Sequence, residues 1–205
     1  VWCFRKKARS LDGETVMAII ANNPGNLEVG QGYAGQTGRA YEGGKFVEGG
    51  RFAEFDSPEM GLRAIFRDLR TKLNSKELGY GDVDKIISKF APKNENETAI
   101  YSARIKKAIG SNKLTNKNLM AAVKEMVAIE SDDNPEMLRY YLDNPNIINA
   151  AEELSLIDLP SSTTGETALK IYNKGEYAGH EEAKRKTGGR IMNDPNKTYN
   201  TQRAI

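Results

Sequence analysis

The sequence predicts an α+β fold, mostly α, with a small antiparallel β-hairpin lobe near the N-terminus and an extended C-terminal tail. Three observations lead there. A glycine-punctuated stretch over 27–55 holds the only plausible sheet; helix-start signals recur from Ser57 onward, each followed by apolar residues at helical spacing; and the composition turns polar after Pro160. Hydrophobic residues are 39% of the 205 and charged ones 28%, so the core should be modest and polar segments should lie outside it. Three parts follow: an N-terminal arm over 1–12, a domain over 13–159, and a linker with an assembly tail over 160–205. Within the domain the β-lobe covers about 27–55 and the helical lobe 57–155.

The arm mixes Trp2 and Phe4 with Arg5, Lys6, Lys7 and Arg9. Such a segment either anchors on a partner surface or packs one aromatic on its own domain. A short helix is expected from Glu14 to Ala21, with Asp12 as N-cap and Val16, Ile19 and Ile20 on one face. The stretch Ala21-Asn22-Asn23-Pro24-Gly25-Asn26-Leu27 ends it. Pro24 fixes its own φ and pushes Asn23 toward extended backbone, and Gly25 is placed to supply the positive φ of a type II turn. Asparagine amides can hold such a turn through nearby backbone groups.

Glycines at 32–38, 43–44 and 49–50 read as turns. Between them Lys45-Phe46-Val47 and Arg51-Phe52-Ala53-Glu54-Phe55 read as short antiparallel strands. Ser57, Pro58 and Glu59 then open a helix as N-cap, first residue and first-turn acid, with Leu62, Ile65, Phe66, Leu69 and Leu73 on its core face. Asp82 caps the next helix, which Ala91-Pro92 stops. Glu95 and Glu97 read as organisers of the turn that follows. The third helix places Ile100, Tyr101, Ile105, Ala108 and Ile109 at apolar positions and closes at Gly110. A fourth starts at about Asn116, and Asn134-Pro135 and Asn144-Pro145 each open a short helix. Ser161 to Gly165 is linker by composition, followed by one or two helical turns over 168–172. The last residues have almost nothing to bury, so alone they should be disordered, and as an ordered tail they would lie against another chain.

Several chemistries are excluded or disfavoured by residue content. A net charge of +2 excludes a nucleic-acid binder that works by bulk positive charge. Cys3 is the single cysteine, so no intramolecular disulfide can form. No apolar run approaches the roughly 20 residues that a membrane-spanning helix needs. His180 is the single histidine and sits in the polar tail, which disfavours both a zinc site and a Ser-His-Asp triad. Asp132 and Asp133 with Glu130 read as a solvated acidic turn, because the EF-hand spacing is absent. No metal and no cofactor is expected.

Read together, four stretches resemble a family of phage virion proteins. They are Asn22 to Leu27, Gly35 to Gly38, Gly50 to Ala64, and Ile86 to Pro92 followed by Glu95, Asn96, Thr98 and Tyr101. Phe90 stands where that family usually has Trp. The family is in turn distantly similar to lysozyme-like murein hydrolases, which place an Asn-rich turn and a small β-lobe ahead of a helical lobe. This implies a lysozyme-like helical domain in a tailed-phage virion subunit, internal or tail-associated, with a peptidoglycan-hydrolase-like activity for cell-wall penetration during genome delivery. The alternative is a structural virion protein that uses a degenerate lysozyme-like domain as a scaffold.

If active, such a domain would be a peptidoglycan glycosidase or lytic transglycosylase. Its implied catalytic glutamate lies on the helix before the turn, where this chain has Glu14. Glycoside hydrolysis usually wants one protonated and one ionised carboxyl group. Glu54, alternating with Phe52 and Phe55 on the last strand, is the second candidate, while Asp56 reads as part of the helix start. Asn22, Asn23 and Asn26 with Tyr33 and Tyr41 are the expected glycan-binding residues. Expected partners are other virion proteins, met through the arm and the tail, and peptidoglycan. The expected location is the virion, and the host periplasm after ejection.

Overall fold

The computed structural model describes residues 19–92 and 97–174. The arm, Glu14, Glu95, His180 and the assembly tail beyond 174 lie outside the described residues. Of the helix expected up to Ala21, residues 19 and 20 are described, and they are helical.

Three strands form one antiparallel sheet near the start: β1 (Gln36–Glu42), β2 (Lys45–Phe46) and β3 (Phe52–Phe55), in the order β2-β1-β3. β1 is the longest and lies in the centre, although its first residues read in the sequence as a turn. Its glycines mislead: Gly38 stands inside the strand, where the register shifts between Gln36 and Ala40. On β3, Ala53 and Phe55 face inward while Phe52 and Glu54 are half-buried.

Seven helices follow among the described residues: α1 (Pro58–Leu73), α2 (Val83–Phe90), α3 (Thr98–Ile109), α4 (Leu119–Glu130), α5 (Pro135–Tyr141), α6 (Pro145–Leu154) and α7 (Gly165–Lys174). Their starts obey the capping signals. The side chains of Ser57, Asp82, Asn134 and Asn144 each accept a first-turn N–H, and Gly110 closes α3 in the left-handed conformation with φ 63°. Helix α4 starts at Leu119 rather than near Asn116. The inward face of α3 also differs from expectation: Thr98 and Ser102 join Tyr101 and Ile105 inside, while Ile100 is 55% exposed and Ala108 is exposed. Thr98 is accommodated because its hydroxyl donates to the Ala91 carbonyl at 2.7 Å.

Helix α1 is the axis of the core, burying Met60, Leu62, Ile65, Phe66 and Leu69, and it packs along α6. Three arginines on it grip the end of α6. Arg63 donates to the carbonyls of Leu154 at 3.1 Å and Ile157 at 2.9 Å; Arg67 reaches Asp158, and Arg70 reaches Ser155 Oγ. The orphan carbonyls of a helix end and an otherwise costly buried guanidinium thereby satisfy one another. Burial pulls Arg63 down to about 10, so it remains a cation at neutral pH.

The segment that composition marks as linker is bonded to the sheet. Gly35 N–H donates to the Thr163 carbonyl at 2.8 Å, and Gly165 N–H donates to Asp56 Oδ2 at 2.7 Å. Asp56 therefore serves the start of α7, not that of α1. Behind it α7 buries Ala168 and packs on α6.

Candidate functional site

The turn over 21–27 is wedged between β3 and α1. Positive φ falls on Asn22 (51°) and Asn26 (44°) rather than on Gly25. This corrects the expected turn type, and asparagine tolerates that conformation better than most residues. Gly25 is small for another reason: a Cβ there would lie 2.7 Å from Ile65 Cδ1 of α1. Asn23 is fully buried. Its Oδ1 accepts from Leu27 N–H at 2.8 Å, and its Nδ2 donates to the carbonyls of Leu27 and Ala53, both at 2.9 Å. Asn22 Nδ2 donates to the Phe55 carbonyl at 3.0 Å. Two backbone bonds, Ala53 to Leu27 and Phe55 to Ala21, complete the attachment to β3.

Beside this turn opens a groove of about 420 Å³. Gly25 to Glu28, Gln31, Tyr33 and Arg51 line it from the sheet side. Asp68 and Lys72 of α1, Lys89 to Pro92 at the end of α2, and Glu130 at the end of α4 complete it. Its charges are largely paired. Arg51 Nε lies 2.6 Å from Glu28 Oε1, and Lys72 is paired with Asp68 one helical turn away.

Glu130 is one exception. The residue is half-buried, and its Oε2 is enclosed. The Tyr101 hydroxyl of α3 donates to Oε1 at 2.9 Å, and Oε2 makes no hydrogen bond. Burial pushes the carboxyl up to about 8, although the neighbouring side chains of Tyr101 and Asn26 pull the other way. Asn26 is itself held, since the Tyr41 hydroxyl donates to its Oδ1 at 2.8 Å and leaves the Nδ2 donor for the Glu130 side. With its pKa raised to about 8, Glu130 favours the neutral acid at neutral pH and stands beside an open groove. A group so placed can deliver a proton to a bound molecule. Asp68 places a second carboxyl group in the same groove, and burial, together with the nearby Asp68 charge, raises the Tyr33 hydroxyl above its ordinary value.

Of the residues expected from sequence, Asn26 and Tyr33 line the groove. Asn22 and Asn23 bond the turn to β3. Tyr41 is fully buried against Phe46 and Phe52, with ring centroids 6.5 and 5.4 Å away. Glu54 lies outside the groove lining, where Thr37 donates to it at 2.5 Å and Arg39 pairs with it at 3.2 Å. Glu14 lies outside the described residues. Glu130 corrects the reading of a solvated acidic turn. Asp132 and Asp133 are exposed as that reading expects, but Glu130 belongs to the helix before them. The available signal was its place after Val123, Met126 and Val127, on a helix that is apolar nearly all round.

Among the described residues no group of three or more His, Cys, Asp or Glu side chains is placed to hold a metal ion. None of their helices is long and apolar enough to cross a membrane. No family model matches the chain. Its sequence is 29% identical over 126 residues to Protein P5 of Pseudoalteromonas phage PM2, a match covering 60% of this chain and 75% of that protein. The chain is therefore distantly similar to a phage protein.

Proposed function

We propose that this chain is a phage virion subunit whose folded domain cleaves the glycan strands of peptidoglycan during genome delivery, with Glu130 as proton donor. Similarity to a phage protein supports the virion role. The observation that carries the reaction is the enclosed Glu130 carboxyl, held by Tyr101 beside a groove that also presents the rings of Tyr33 and Phe90. Sugar faces stack on such rings. Protonation of the glycosidic oxygen by Glu130 would let the C–O bond break. Asp68, which lines the same groove, would favour the positive charge that develops on the sugar ring or hold the attacking water. Glu54 and Glu14 stay in the proposal as alternative donors and enter the same test.

A scaffold without catalysis is the second reading, and one observation favours it. Asn22 and Asn23, which carry much of the resemblance to virion proteins, are used for holding the turn on the sheet. A peptidoglycan zymogram of the purified protein separates the two readings, with Glu130→Gln, Glu54→Gln and Glu14→Gln run alongside. Clearing that only Glu130→Gln abolishes, with its circular dichroism unchanged, is the expected result. No clearing by folded wild-type protein assigns the domain to scaffolding. Peptide mass spectrometry of purified particles tests the virion role separately.

A further inference from the structure

The groove's basic residues are not equivalent. Arg51 faces Glu28 and Lys72 faces Asp68, so four of its charges cancel in pairs. Lys89, in the last turn of α2, lines the same groove, is exposed, and has no acidic partner among the described residues. Next to it in sequence stands Phe90, half-buried and held edge-on by Tyr101 with centroids 6.1 Å apart. Lys72 also approaches the Phe90 ring, its Nζ lying 5.9 Å from the centroid. With Glu130 protonated, the lining therefore carries one surplus positive charge, set beside an aromatic ring.

We infer that the groove is selective for acidic glycans, with Lys89 receiving a carboxylate carried by the sugar chain while Phe90 meets a sugar ring. This rests on the glycan reading above and adds which substituent is read, and by which residue. A neutral glycan gains nothing from Lys89, whereas a sugar bearing a carboxylated ether side arm places its anion within reach of a rim cation. A lysine in a last helical turn is also what the helix dipole favours, and on that account alone its loss would leave glycan binding untouched.

The test is calorimetric and uses the full chain carrying Glu130→Gln, so that bound glycan is not turned over. Two ligands are compared: peptide-free peptidoglycan strands, and the same strands with their carboxyl groups reduced to alcohols. The carboxylated strand should bind roughly fivefold more tightly, the scale of one partly exposed ion pair. Adding Lys89→Gln should abolish that preference while the affinity for the reduced strand stays the same. Equal affinities before Lys89 is changed overturn the inference, as does a preference that survives Lys89→Gln. Binding of neither strand by protein with native circular dichroism overturns the glycan reading as well.

Discussion

The carbonyl oxygen of Asn22 fills the space in which Gly61 would carry a side chain; a Cβ built there would lie 1.7 Å from it. Helix α1 therefore touches the turn backbone to backbone. Gly61→Ala should destabilise the protein by at least about 3 kcal/mol, read by denaturant unfolding. Helix propensity alone predicts the opposite sign, a gain of about 1 kcal/mol, so a stabilised variant would refute the close approach.

Asn23 answers three backbone groups from a fully buried position. Asn23→Ala should cost about 2–4 kcal/mol, since it leaves the Leu27 N–H and the Ala53 carbonyl short of a partner. Asn23→Asp keeps the acceptor for Leu27 and loses both donors, placing a carboxylate against two carbonyls. It should be no better than alanine at neutral pH, and a melting temperature near wild type would count against the assigned bonds.

Glu130 ties stability to pH with a defined sign. Its folded pKa is about 8, above the ordinary carboxyl range, so between roughly pH 4.5 and 8 the folded state holds a proton that the unfolded chain has released. The group's contribution is fully present below that window and is lost as pH rises through it, by at most about 1.4 kcal/mol per unit. Relative to wild type, Glu130→Gln should therefore gain stability steadily from pH 5 to pH 8. Parallel stability curves for the two proteins would show that the carboxyl is not enclosed.

Tyr101 positions the acid without touching substrate in the proposed reaction. Its hydrogen bond pulls the Glu130 pKa down, so Tyr101→Phe should move the alkaline limb of any glycan-cleaving activity to higher pH. The measurement is a pH–rate profile of both proteins on soluble glycan strands. A lower rate with an unmoved limb would assign Tyr101 to packing alone.

Asp56 holds the start of α7 through the Gly165 N–H. Asp56→Ala should loosen the segment over 161–174 while the rest of the fold persists, at about 1–2 kcal/mol. Limited proteolysis followed by mass spectrometry should show faster cleavage between 160 and 165. Unchanged protection there would mean that the Thr163 bond to Gly35 suffices.

How much of this was legible in the chain depends on the range of the interaction. Caps are local, and Ser57, Asp82, Asn134 and Asn144 announced their helices because the bonded groups lie within three residues. The central strand was hidden because Gly35 and Gly38 signal a turn unless the partners across the sheet are known. Asp56 was assigned to the nearer helix, since nothing near it in sequence reveals a partner over 100 residues away. Tyr33 and Asn26, both expected near the turn, line the groove. Glu130 read as part of a solvated turn because two exposed aspartates stand at 132 and 133, and only the docking of α4 against α3 places Tyr101 on its carboxyl. Site chemistry made by burial cannot be read from spacing.

The bond between Asp56 and Gly165 spans 109 positions of the chain, and Arg63 reaches forward 91 to Leu154. On a ribosome, the lobe made first is thus finished by residues made about a hundred positions later. At 5–20 residues per second, the sheet and α1 wait on the order of 5–20 s for the segments that close them. For that interval α1 displays the face destined for α6, and the nascent chain presents the apolar surface that chaperones recognise. A synonymous-codon slowdown between 56 and 150 would lengthen the exposure without altering one atom of the finished protein.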